Sequence, residues 1–204
     1  HVAIFRSKSS SPASDPILYL SGGPGAPGIP DVMYFNSFSG FMKSNRDVIV
    51  FDQRGTGQSQ PSLACPEAGQ FYMDALNKAI PRDEFLNSEN SAWQKCRERL
   101  VSENIELEQY SSVTSAADAD DLRRALNIEK WNLFGISYGT RLALTIMRDY
   151  PQGVRSAVLD SVFPLPESLA NYDYNDFRGK GSIKYLLDRC TADIECQTAY
   201  PDLE

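Results

Sequence analysis

The sequence predicts an α/β fold built on a parallel sheet, and three observations carry that expectation. Short apolar runs recur between longer helical patterns, glycine-rich turns directly follow those runs, and one serine sits between two glycines where an apolar run meets a helix. The runs are PILYLS at 16–21, DVIVFD at 47–52, KWNLFG at 130–135 and RSAVLD at 155–160. Each is too short for a typical helix and reads as a strand covered on two faces. Helical patterns fall at about 30–43, 112–126 and 138–149. Thr114 reads as the N-cap of SAADADDLRRAL, and Tyr150-Pro151 closes the last helix. Strand and helix in alternation imply parallel pairing, with helices on both faces of the sheet.

Two segments break the rhythm. Residues 61–109 form a polar, partly helical excursion, read as an insertion over the sheet edge. After Asp160 the chain turns through FPLPES into the helical, polar SIKYLLDRC and DIECQTAY, with no further buried strand. The expected organisation is therefore a core over 1–164 and the start of a helical cap over 165–204. Hydrophobic residues make up 42% of the chain, enough for a sizeable core. The 27 acidic and 20 basic residues give a net charge of −7, and no basic stripe is present to neutralise a phosphate backbone, so nucleic acid is not an expected partner. No apolar run approaches the roughly 20 residues of a membrane span. The chain starts HVAIFRSKSS, with neither Met nor a basic-then-apolar leader, and both ends read as cut.

Four cysteines, Cys65, Cys96, Cys190 and Cys196, can pair in three ways. The simplest pairing joins Cys65 to Cys96 and Cys190 to Cys196; four unpaired buried thiols are the alternative. Paired cysteines imply an oxidising compartment. A metal site would need tighter ligand clusters, usually with histidine, so no metal is expected, and nothing implies an organic cofactor.

The candidate chemistry lies at Gly135-Ile136-Ser137-Tyr138-Gly139. A serine leaving a buried strand and opening a helix stands clear of the sheet only if the turn is very tight. Glycines two positions before and after it remove the side chains that would collide there. The bland alternative is an ordinary strand-to-helix turn with a capping serine. Acyl transfer also needs N–H donors where a carbonyl oxygen turns negative. Tyr138, first in the helix, offers one, and Gly23 in Ser21-Gly22-Gly23-Pro24-Gly25 offers the other if that loop ends its strand beside the serine. A flexible linker is the competing reading of GGPGAPG.

With SGGPG, DQRGTGQS, GISYG and VRSAVLDSV in this order, the chain resembles the α/β-hydrolase superfamily over roughly residues 16–164, specifically its prolyl iminopeptidase and tripeptidyl-aminopeptidase branch of secreted serine peptidases. Family members usually carry a histidine before the Gly-Gly-Pro-Gly loop; this chain has Ser21, similar to the tripeptidyl-aminopeptidase side. CTADIEC followed by YPDL resembles the cap of that branch, which supports a secreted or periplasmic location. The resemblance places Asp52 and Arg54 at the mouth of the site, with a structural ion pair favoured over an organising role. Asp118, Asp120 and Asp121 read as a solvated helix face.

The resemblance implies an acid and then a histidine after the serine, on two further strands, yet the one histidine is His1. Asp160 is the place some relatives use for their acid, but it reads better as a turn-shaping residue. The expectation is a serine hydrolase acylated on Ser137, most simply an aminopeptidase releasing N-terminal residues or short peptides. The present chain is read as a fragment, feeble alone, whose acid and histidine lie on a second chain or were lost. Its partner is a peptide or ester substrate. Glu167, Asp173 and Asp176 are candidate holders of a free α-amino group. A carboxylesterase of the same fold, and a binding module without a base, are the alternatives.

Overall fold

In the computed structural model, residues 1–30, 45–164 and 187–200 are described. Five strands form one sheet: β1 (Val2–Phe5), β2 (Ile17–Leu20), β3 (Val48–Phe51), β4 (Trp131–Ile136) and β5 (Val154–Asp160). Their spatial order is β1-β3-β2-β4-β5. β2, β3, β4 and β5 run parallel, with Leu18 opposite both Ile49 and Leu133, and Leu20 opposite Gly135. All four therefore end at one edge of the sheet, where ligands bind in open α/β folds. β1 pairs antiparallel with β3, Val2 opposite Phe51. The sheet is thus mixed at its edge rather than wholly parallel.

The helices are α1 (Pro66–Ala75), α2 (Arg82–Ser102), α3 (Ser112–Ala125) and α4 (Tyr138–Asp149). α3 and α4 cover one face of the sheet. Ala116, Ala119, Leu142, Ala143 and Ile146 pack there against Leu18, Leu20, Ile49, Phe51, Trp131 and Leu133. The 3.6-residue spacing of Leu142, Ala143 and Ile146 gives α4 its buried stripe. Strand alternation sends Tyr19, Val48 and Val50 to the opposite face, where Ile29 and Phe134 join them. Residues 28–30 begin a helix on that side; the predicted helix at 30–43 otherwise lies outside the described residues.

Three expectations are corrected. α3 is capped by Ser111, not Thr114: the Ser111 hydroxyl accepts the Thr114 N–H, and the Thr114 hydroxyl accepts the Ser111 N–H in return. β5 is not covered on both faces; Arg155, Ser156, Val158 and Asp160 are exposed, as its edge position allows. Asp118 and Asp120 are not merely solvated. Asp118 pairs with Arg54, and buried Asp120 with Arg123 and Arg124.

The 61–109 excursion is α1 and α2, joined by the Cys65–Cys96 disulfide. Closing a loop of this length removes enough unfolded-state freedom to contribute about 3–4 kcal/mol on the chain-entropy account. Phe71 and Phe85 pack between the two helices with centroids 5.1 Å apart. The chain divides into compact units His1–Leu165 and Pro166–Glu204. Within the second, residues 187–192 are helical and α5 (Ile194–Ala199) follows, capped by Asp193, with Cys190 bonded to Cys196.

At the other edge of the sheet, Asp15 fastens three strands. Its carboxylate accepts from Asn132 Nδ2 at 2.8 Å on β4, from Arg155 on β5 and from Arg46 Nε at 3.2 Å before β3. Partial burial pushes this carboxyl up, but the bonds from Asn132, Arg155 and Arg46 outweigh it and hold the group well below the usual carboxylate range. A depressed native value means that the stabilisation is fully present above the unfolded value of about 3.9 and is lost as pH falls below it. Asp15→Asn is expected to cost about 1–2 kcal/mol at pH 7, with the gap to wild type in urea midpoints narrowing from pH 4 towards pH 2.

Candidate functional site

Ser137 stands at the carboxyl end of β4 and is the N-cap of α4, at φ 52° and ψ −119°. Such a positive φ costs a side-chain-bearing residue roughly 1–3 kcal/mol, so the surroundings must impose it. They do so on both sides. A Cβ at Gly135 would lie 2.6 Å from the carbonyl oxygen of Gly139 and 2.9 Å from the nitrogen of Thr140. A Cβ at Gly139 would strike the Leu20 carbonyl, lying 2.6 Å from its carbon and 2.8 Å from the Ser21 oxygen. The two glycines let the first turn of α4 press against both β4 and the end of β2.

Hydrogen bonds complete the turn. The Ser137 N–H donates to the Asp160 carbonyl at 2.9 Å, tying the corner to the end of β5. Fully buried Thr140 donates its hydroxyl to the Ser137 carbonyl at 2.6 Å and accepts the Phe163 N–H at 2.7 Å. Arg141, one turn beyond Ser137, donates to the Pro164 carbonyl at 3.0 Å and lies 3.9 Å over the Phe163 ring. Residue 137 itself is exposed, and its hydroxyl meets no hydrogen-bond partner among the described residues.

The loop after β2 lies beside this corner. A Cβ on Gly22 would be 3.3 Å from the Ser137 Cβ and 3.3 Å from the Ile136 oxygen. Gly23 follows with φ 69° and accepts the Ala26 N–H at 3.0 Å in a tight turn. The Gly23 N–H has no backbone acceptor among the described residues. The Tyr138 N–H, first in its helix, has no intrahelical one. The structure thus brings Ser137, Tyr138, Gly135, Gly139 and the 21–25 loop to one corner. Asp160 contributes its main-chain carbonyl, while its carboxylate accepts the Ser161 hydroxyl at 3.0 Å.

The loop after β3 is fastened by Asp52, which is buried. Its carboxylate accepts the N–H groups of Ile29 and Gln58, both at 3.1 Å, and lies 3.2 Å from His1 Nδ1. Arg54 grips Asp118 with two bonds, of 2.8 and 2.6 Å, and donates to the Gln109 carbonyl at 2.9 Å. The Asp118 partner raises the Arg54 guanidinium above its ordinary value against a smaller opposing effect of burial. Its charge is thus committed to an ion pair.

His1 directly precedes β1, the far strand. β1 and β4 are three strand spacings apart, roughly 14 Å, beyond the reach of an imidazole. Glu167, Asp173 and Asp176 fall outside the described residues. The only clustered potential metal ligands among the described residues are Cys65, Glu67 and Cys96. Both sulfurs there are spent on the disulfide, and Glu67 pairs with Arg99 at 2.6 Å.

Sequence reasoning missed Thr140, whose bonds need the tertiary path of residues 161–164. It also missed the Ser112–Tyr138 hydroxyl pair at 2.8 Å, which bridges α3 and α4. A hydroxyl three residues past a nucleophile candidate is a readable hint; a serine 25 residues before it is not.

The sequence pattern of the family described as alpha/beta hydrolase fold matches residues 15–184. Among similar proteins is the putative hydrolase YuaR of Escherichia coli strain K12, 27% identical over 191 residues, covering 94% of this chain and 36% of that protein. Proline iminopeptidase of Neisseria meningitidis is 28% identical over 160 residues, covering 78% and 36%. Serine protease Hip1 of Mycobacterium tuberculosis is 29% identical over 165 residues, covering 78% and 31%. The chain spans about a third of the length of these relatives. A solved structure of a putative epoxide hydrolase from Pseudomonas aeruginosa superposes with TM-score 0.51 at 19% identity, over 89% of this chain and 44% of that one. With the family pattern spanning most of the sequence and the sheet order and elbow geometry in agreement, the chain belongs to the alpha/beta hydrolase fold family.

Proposed function

We propose that the protein is a serine hydrolase acylated on Ser137, acting as a peptidase that releases amino-terminal residues or short peptides. The observation that carries this reading is an exposed hydroxyl with no hydrogen-bond partner among the described residues, held at φ 52° at the head of α4 and next to the glycine loop after β2. In this reading Ser137 Oγ adds to the substrate carbonyl carbon while a base takes its proton. The N–H groups of Tyr138 and Gly23 receive the oxygen that becomes negative. Collapse expels the amine, protonated by the same base, and water then cleaves the acyl-enzyme by the reverse proton path. His1 sits three strands away, so in this reading the imidazole comes from outside these 204 residues. The similarity to a proline iminopeptidase and a serine protease supports peptides over other acyl donors.

The two disulfides support residence in an oxidising compartment, secreted or periplasmic. Among the described residues no helix is long and apolar enough to cross a membrane. A second reading, a binding module without a base, is favoured by the remoteness of His1 alone.

A fluorophosphonate probe on the full-length protein, followed by peptide mapping, separates the two. The tryptic peptide 131–141 is expected to carry the label on Ser137, and N-acetylation of a peptide substrate is expected to abolish its cleavage. No label at Ser137, or label only elsewhere, would overturn the hydrolase reading; undiminished cleavage of acetylated peptides would overturn the aminopeptidase one.

A further inference from the structure

Beside the elbow lies a cavity of about 460 Å³ bordered by Tyr138, the 24–25 stretch of the glycine loop, the loop after β3 and the start of α3. Thr56, Ser112, Ser115 and Tyr138 present hydroxyls, and no carboxylate borders it among the described residues. Arg54, the single charge on its wall, is committed to Asp118. The cavity therefore offers no carboxylate to a free ammonium, and Pro24, Leu63, Ala64 and Tyr110 give it apolar wall between the hydroxyls.

Gln53 is its distinctive member. The residue is only 8% exposed, yet its side-chain amide has no hydrogen-bond partner among the described residues. Its backbone carbonyl alone is occupied, by the N–H and hydroxyl of Thr56 at 3.0 and 2.9 Å. Neither amide atom is sealed off as a fully buried unpaired group, so both still reach open space and are available to a ligand. A carboxamide facing a cavity, with a donor and an acceptor both idle, is complementary to another amide. The neighbouring loop is rigid, since Asp52 and Arg54 anchor it on either side of Gln53.

We infer that Gln53 is a specificity-determining residue that reads a peptide group of the substrate through its donor and acceptor together, at a peptide bond other than the one cleaved. β3 and β4 flank β2, so the ends of the strands carrying Gln53 and Ser137 are two spacings, roughly 10 Å, apart. An extended chain covers that distance in about three residues. The inference rests on Ser137 being the acylated residue, and it narrows the substrate class to peptides long enough to span both points, against simple alkyl esters.

The test uses full-length protein and peptides lengthened one residue at a time on either side of the scissile bond, with p-nitrophenyl acetate as the reference too short to reach the cavity. For wild type, kcat/KM should step upward at the length that brings a peptide group to Gln53. Gln53→Met, an unbranched apolar near-isostere, should lower the ratio of long-peptide to acetate kcat/KM about tenfold, the value of one well-made hydrogen bond with its buried partner. Gln53→Glu, which keeps an acceptor and loses the donor, should fall between. Melting temperatures of both variants guard against a folding effect. An equal loss on peptide and acetate, or an unchanged ratio in both variants, would overturn the inference. Failure of the underlying hydrolase reading looks different: acetate turnover would survive Ser137→Ala.

Discussion

Ser137→Gly should make the full-length protein inactive and at the same time more stable. Loss of the hydroxyl is expected to lower kcat on activated esters and peptides by about 10⁴ to 10⁶-fold, the scale seen when a nucleophile acting within a concerted set is removed. Stability should move the other way. The residue sits at φ 52°, ψ −119°, where glycine is at ease and serine is not. Relief of roughly 1–3 kcal/mol of strain, less about 0.5–1 kcal/mol for the freer unfolded chain, leaves a net gain of about 1 kcal/mol. Ser137→Ala should lose activity equally with no such gain. A serine present merely as a helix cap predicts the reverse pattern, activity kept and stability reduced, so kinetics and a urea titration on both variants decide the matter.

Gly139→Ala should be the most damaging single methyl in the molecule. The added carbon would meet the main chain of Leu20 and Ser21, 2.6 Å from one carbonyl carbon and 2.8 Å from the next oxygen. Main chain at the end of a central strand cannot swing aside as a side-chain tip can, so α4 must lift from the sheet. A loss above about 4 kcal/mol is expected, enough to unfold a typical domain of this size at 37 °C. Gly69→Ala is the matched control. It lies in α1 with nothing within 4 Å of the new carbon, and should stabilise slightly through helix propensity. Comparable melting temperatures for the two would refute the steric account of the elbow.

The parts of this structure that short-range chemistry dictates were legible in the sequence. β2, β3 and β4 announce themselves because central parallel strands need unbroken apolar runs, and the elbow because two glycines are indispensable within five residues. The edges were less readable. β1 is only VAIF, too short for its apolar pattern to stand out, and its pairing is set by β3 rather than by its own pattern. β5 was recognised as a strand but not as an exposed one, since RSAVLD carries the same apolar residues whether or not a neighbour covers them. Thr114 looked like a cap because the helical pattern is visible sooner than the turn before it; Ser111, three residues earlier, takes the position instead. At the site, Ser137 and its glycines could be read, whereas Thr140, Ser112 and Gln53 depend on which loops the sheet order brings together.

The cramped backbone at residue 137 bears on how this lineage can decay. Serine codons of one class become glycine codons by a single base change, and at this position the strained backbone predicts that the change is thermodynamically downhill. A descendant no longer selected for turnover would therefore accumulate glycine there more readily than random drift suggests. A homologue carrying that replacement is expected to be well folded and without turnover, which its melting temperature and esterase rate would check.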